Sequence, residues 1–151
     1  QSVSLCDVLT LSPGEGLTLR FPQGARLVPG ADNLVLRAAA ALQRATGCRL
    51  GADILLEKHI PVGAGMGGGS ADAAAALSGL NRLWGLSLSP GELAGIGLSI
   101  GADVPFCLSG GLQRARGIGE TLTPLRAAVL AGGGAALPGP EHPEGVFRPA
   151  P

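Results

Sequence analysis

Pro61-Val62-Gly63-Ala64-Gly65-Met66-Gly67-Gly68-Gly69-Ser70 is the stretch that decides how this chain reads. Five glycines fall within the seven residues from Gly63 to Gly69. They follow a short apolar strand candidate, Ile54–Leu56, closed by Pro61, and run directly into Ala71-Asp72-Ala73-Ala74, where a helix begins. A strand, a glycine loop and a helix N-terminus in that order make an anion cradle. Missing Cβ atoms allow φ > 0 and close backbone approach, while the first helical N–H groups and the positive helix end point at the ligand. Ser70 can cap the helix, ligate a metal or donate to a phosphate oxygen. A Walker loop needs a lysine after its glycines, and none follows here. Gly63, Gly65 and Gly68 satisfy dinucleotide-fold spacing, but the acidic residue expected about 20 positions on is missing. The nearest candidate, Glu92, sits in a capping box instead. A glycine loop without a ligand is the competing reading, and it leaves the entropy of ordering so many glycines unexplained.

The segments on either side alternate between strand and helix patterns. Val3–Leu11 and Leu17–Phe21 read as strands. Asp32 and Asn33 are N-cap residues for a helix with Leu34, Ala38, Leu42 and Ala45 on one stripe, stopping at Gly47. Ser70 is expected to cap the helix that carries Ala73, Ala74, Leu77, Leu80 and Trp84 and ends at Gly85. Ser89-Pro90-Gly91-Glu92 is a capping box with proline at the first helical position, and Gly101 ends that helix. Leu112–Arg116, Thr121–Leu125 and Val129–Leu130 then read as strands, with Gly117-Ile118-Gly119 as the turn between the first two. Strands and helices sharing one core predict an α+β fold.

Composition narrows the function classes. The 151 residues are one domain's worth. Eleven basic side chains balance eleven acidic ones, so no nucleic-acid surface is expected. Charged residues make up 15% of the chain, against about 25% in an average soluble domain, which suggests a surface that meets another domain. The uncharged stretch 127–140 is too short and too rich in glycine to cross a membrane. No signal-peptide pattern is visible. Cys6, Cys48 and Cys107 lack metal or redox spacing and read as reduced cytosolic thiols. From Gly132 onward glycine and proline dominate and no apolar period survives.

A second candidate is Ile100-Gly101-Ala102-Asp103-Val104-Pro105-Phe106. It sets one carboxylate among small and apolar neighbours just past a helix end. Partial burial would raise the Asp103 pKa and suit it to take a proton. An aspartate that satisfies local N–H groups in a turn is the other reading. Trp84 and Phe106 read as core residues, and His59 and His142 as surface or packing residues.

These segments together resemble the GHMP small-molecule kinases. Lys58-His59-Ile60 through Ser70-Ala71-Asp72-Ala73-Ala74 is similar to the family's phosphate-binding motif. Leu80-Asn81-Arg82-Leu83-Trp84, Leu88-Ser89-Pro90-Gly91-Glu92-Leu93, the Ile100–Phe106 segment and Gly117-Ile118-Gly119-Glu120 extend the likeness, which runs from about Gln1 to Leu125.

The resemblance implies the fold of the GHMP kinase N-terminal lobe, which shares its topology with the second domain of ribosomal protein S5. It implies that Gly63, Ala64, Gly65, Met66, Gly67, Gly68 and Gly69 hold the phosphates of ATP, with Ser70 beside the phosphates and Mg2+. Lys58 and Asn33 match adenine contacts, and Asp103 matches the catalytic base that contacts the acceptor hydroxyl. Phe147 matches an aromatic that stacks on the cytosine of the substrate. The acceptor implied is a cytidine-diphosphate-linked methylerythritol, phosphorylated at its 2-hydroxyl in the non-mevalonate isoprenoid route, in the cytoplasm. Homoserine, mevalonate or a sugar is the acceptor in other members, and a non-catalytic nucleotide-binding fragment is the reading from a different class.

The family's opening Pro-Ala-Lys-Leu-Asn-like strand, whose lysine assists the aspartate, and its Gly-Tyr-His segment have no match here. Its ferredoxin-like second lobe has none either. The expected organisation is therefore an N-terminal lobe over 1–131 and a tail over 132–151 leading toward a second lobe, with weak ATP binding and slow turnover.

Overall fold

In the computed structural model, residues 2–23, 30, 32–119 and 121–125 are described. Strand β1 (Val8–Gly14) and strand β2 (Leu17–Arg20) flank strand β3 (Gly51–Glu57) in a three-stranded sheet of order β1-β3-β2. β1 runs antiparallel to β3, and β2 runs parallel to it. The register sets Leu11, Ile54 and Leu19 abreast across the three strands, all facing the core. Period-two alternation therefore puts one face of the sheet under the helices and leaves Asp53, Leu55 and Glu57 on the other, partly exposed.

Two helices cover the buried face. Helix α1 (Leu34–Thr46) buries Val35, Ala38, Ala39 and Leu42, and helix α2 (Gly68–Leu83) buries Ala73, Ala74, Ala76, Leu77 and Leu80. Alanine predominates on both faces, so the helices pack closely against each other and the sheet. Gly79 lets α2 lie on β1, since a Cβ there would come within 2.3 Å of Leu11 Cδ1. Gly51 is equally constrained, because its Cβ would meet the Gly14 carbonyl oxygen at 2.5 Å. Trp84 belongs to the core as expected, and its indole N–H donates to the buried Gly51 carbonyl at 3.0 Å.

Helix α3 (Pro90–Leu98) and helix α4 (Val104–Ser109) pack against one another and on α2. Strands β4 (Gln113–Arg116) and β5 (Thr121–Pro124) form a separate antiparallel hairpin.

Several expected boundaries move. β1 begins at Val8 rather than Val3 and continues through Pro13, which an edge strand of the described sheet accommodates. β3 extends to either side of Ile54–Leu56 because Gly51 and Ala52 pair with β1 despite their small side chains. α3 stops at Leu98, and the Gly101 N–H closes the last turn onto the Gly97 carbonyl. α4 lies where a turn was expected. Phe106, on that helix, is half-buried rather than in the core. Val129–Leu130, the 132–151 tail, His142 and Phe147 lie outside the described residues.

Candidate active site

The helix at the end of the glycine loop starts earlier than the serine suggests. Its N-cap is Gly67, at φ 70°, and no side chain caps it. Ser70 is inside the first turn instead of before it. A left-handed glycine can begin the helix three residues upstream, which a serine at that conformation would resist. The first-turn N–H groups, from Gly68 to Ser70, therefore lack both intrahelical partners and a side-chain cap.

The loop above that turn is built from alternating left-handed glycines. Gly63, Gly65 and Gly67 have φ of 77°, 71° and 70°, and a Cβ on any of them would find nothing within 4 Å. Their requirement for glycine is conformational, and the space beside them is open. Two other glycines are held by packing. A Cβ on Gly68 would lie 2.9 Å from Ile60 Cγ2, and one on Gly69 would lie 3.2 Å from Leu34 Cδ1. Leu34 opens α1, so the N-termini of α1 and α2 meet at this point. Asn33 caps α1 through its Oδ1, which accepts from the Val35 N–H at 2.9 Å. Asp32, the other expected cap, makes no such bond in the helix and lies in the preceding turn.

The turn carrying Asp103 reaches the same place. A Cβ on Gly101 would sit 3.9 Å from the Ser70 hydroxyl, and Arg37 Nη2 of α1 donates to the Ile100 carbonyl at 3.5 Å. The β4–β5 turn closes from the other side, where a Cβ on Gly119 would lie 3.5 Å from the Ala102 carbonyl oxygen. Asp103 follows directly. It precedes α4 but makes no capping bond to it, and it is exposed rather than partly buried. The apolar neighbours Val104 and Pro105 turn into the core with α4, which leaves the carboxylate outside. The carboxylate is therefore open to solvent.

Beneath the loop lies a cluster that composition and spacing did not single out. Lys58 forms ion pairs with Asp7 and with Asp72, the latter at 2.8 Å. Asp7 Oδ1 also accepts the backbone N–H groups of His59 at 2.5 Å and Ile60 at 2.8 Å. Asp72 is 5% exposed, and its Oδ1 has no hydrogen-bond partner. Burial pushes the Asp72 carboxyl up to about 6, against the pull of Lys58. Burial alone would raise Asp7 too, but its bonds from Lys58, Ile60 and His59 together lower it. Burial would lower Lys58, and the two carboxylates raise it instead. Among the described residues no three His, Cys, Asp or Glu side chains converge as a metal site. Ser70 brings a hydroxyl into the uncapped turn itself.

Comparison with known proteins bears on the family and the fold. Residues 33–111 match the GHMP kinases N terminal domain. A 4-diphosphocytidyl-2-C-methyl-D-erythritol kinase from Ralstonia nicotianae is 59% identical over 98 residues, covering 65% of this chain and 34% of that protein. The enzyme of the same name from Symbiobacterium thermophilum is 53% identical over 129 residues, covering 83% of this chain and 45% of the relative. A crystal structure of 4-(cytidine 5'-diphospho)-2C-methyl-D-erythritol kinase superposes with a TM-score of 0.66 at 45% identity, covering 81% of this chain and 42% of that one. A homoserine kinase from Cytophaga hutchinsonii superposes with a TM-score of 0.59 at 27% identity, over 72% of this chain and 38% of that one. The chain thus spans less than half the length of these relatives. With its uncapped glycine turn and its matched core, the chain belongs to the GHMP kinase family and carries that family's N-terminal domain fold.

Proposed function

We propose that this chain is the donor-binding part of an ATP-dependent small-molecule kinase whose acceptor is 4-diphosphocytidyl-2-C-methyl-D-erythritol. The observation that carries the reading is the first turn of α2, uncapped beneath three left-handed glycines with open space beside them. Phosphate oxygens fit this turn, because the amides from Gly68 to Ser70 are free to donate and the helix dipole favours negative charge there. The acceptor class is supported by the names of the relatives at 53–59% identity, the pathway by the same names. The homoserine kinase likeness, at 27% identity, makes that acceptor the second reading.

Each residue then has a task. The loop from Gly63 through Ala64, Gly65, Met66 and Gly67 to Gly69 wraps the donor phosphates. Ser70 donates to a phosphate oxygen or holds Mg2+, which when bound neutralises charge on the phosphates. Asn33, at the meeting of α1 and α2, is the adenine-side position carried over from the family, while Lys58, matched to the same side by the resemblance, has its ammonium paired with Asp7 and Asp72 beneath the loop. Asp103 takes the acceptor proton as the new O–P bond forms and the bond to the β-phosphate oxygen breaks, with ADP leaving in line. Catalysis rests on positioning and on stabilising the transferred charge.

The test joins this chain to the remaining length of the Symbiobacterium thermophilum relative and measures phosphoryl transfer to the diphosphocytidyl alcohol and to homoserine. Transfer to the first alone is expected, and transfer to homoserine alone would overturn the acceptor. In the same chimera Asp103→Asn should lower kcat by about 10²- to 10⁴-fold, the range for loss of a general base, with ATP affinity unchanged. Equal losses in both would contradict a role confined to the acceptor.

A further inference from the structure

The ion-paired cluster under the loop joins parts of the chain far apart in sequence. Asp7 precedes β1, Lys58 follows β3, and Asp72 lies in the second turn of α2. Asp7 grips the entry to the glycine loop through the amides of His59 and Ile60, and passes through Lys58 to Asp72 beyond the loop's exit. Gly68 rests directly over the network, where a Cβ would come within 3.3 Å of Lys58 Nζ and 2.9 Å of Ile60 Cγ2. Both ends of the loop are therefore tied to one set of charges, while Pro61 to Met66 stay exposed between them.

The charge balance matters as much as the tether. Two carboxylates and one ammonium lie under a turn that is meant to receive phosphates. Without the ammonium, two buried negative charges would stand beneath the ligand in a medium of reduced dielectric, where they repel it more strongly than in water. The thiol of Cys107, on α4, faces the same region and is pushed up to about 11 by burial and by the Asp103 and Asp72 carboxylates, so it stays neutral.

We propose that Asp7, Lys58 and Asp72 are positioning residues that fix both ends of the phosphate loop, and that Lys58 serves donor binding from beneath Gly68, through the phosphates rather than through the base. This rests on the phosphate-loop reading above and changes what Lys58 does within it.

The experiment compares Kd for magnesium-ATP and for inorganic tripolyphosphate by calorimetry on the 151-residue chain, wild type, Lys58→Met and Asp7→Asn. Both variants should weaken both ligands by the same factor, about tenfold, the loss expected for one charge-assisted interaction. Loss of ATP affinity alone in Lys58→Met, with tripolyphosphate unaffected, would mean contact with the base and overturn the proposal. So would an Asp7→Asn chain that binds both ligands as tightly as wild type. Asp7→Asn keeps the oxygen that accepts from His59 and Ile60, so it decides the matter if Lys58→Met does not fold. A merely structural role would lower the melting temperature and the binding stoichiometry while leaving Kd in place, and that too would overturn it. A wild-type chain that binds neither ligand would instead overturn the phosphate-loop reading itself, and the clamp with it.

Discussion

Helices α2 and α3 lie side by side, yet their N-termini are finished in opposite ways. At α3, Ser89 Oγ accepts the Glu92 N–H at 3.3 Å, Glu92 Oε2 accepts the Ser89 N–H at 2.8 Å, and Pro90 removes another donor. That end is closed by its own side chains. At α2 a left-handed glycine stands where a cap would be, no side chain caps the first turn, and the loop glycines leading into it border open space. The acids nearby differ in the same sense. Hydrogen bonds from the Ser89 side chain and backbone lower the Glu92 pKa, whereas burial raises that of Asp72 to about 6. This contrast is what supports α2, rather than α3, as the proposed phosphate-binding helix.

Closing the open end is the harshest way to break this contrast. Gly67→Val puts a β-branched side chain at φ 70°, a conformation that costs an L-residue roughly 1–2 kcal/mol before any encounter with phosphate. ATP affinity should fall by more than about tenfold, read as Kd by calorimetry, while the far-UV spectrum stays that of wild type. An unchanged Kd would move the cradle elsewhere.

The buried acid offers a second, smaller handle. Asp72 has a folded pKa of about 6, above its ordinary 3.8. Its contribution to stability is thus fully present below about pH 4 and lost as pH rises through 6, since the fold disfavours the charged form. Asp72→Asn removes that loss. The melting temperature of the variant should gain on wild type between pH 4 and pH 7, by about 5 °C for a domain of this size. Parallel curves would show that Lys58 fully compensates the carboxylate.

Opening the closed end should do least. Ser89→Ala removes one cap at a cost of about 1 kcal/mol, or about 2–4 °C in melting temperature. ATP affinity should not move, because no left-handed glycine loop leads into α3. A change in Kd would mean that the two ends are coupled.

What the sequence revealed follows how local each signal is. The capping box at Ser89 and the glycine stop at Gly47 are decided within four residues, and both stand as read. The glycine loop was legible for the same reason, although the start of α2 was not. Ser70 is the better cap by composition, and only the left-handed conformation of Gly67 makes glycine the actual one. α4 escaped notice because six residues show no helical period and Pro105 reads as a breaker, although proline is welcome in a first turn. Asp7, Lys58 and Asp72 come together across separations of 51 and 14 residues, so nothing local announces their cluster. Asp103 stood out for its apolar neighbours, and those same neighbours, by folding inward, leave it exposed.

The most direct measurement is a titration of the chain with magnesium-ATP followed by amide resonances in a nitrogen–proton correlation spectrum. The amides of Gly63, Gly65 and Gly67 through Ser70 should shift progressively and saturate together, while those of Gly91 and Glu92 at the start of α3 stay in place. Saturable shifts centred away from the glycine loop, or none at millimolar nucleotide, would contradict the assignment of α2 as the phosphate-binding helix.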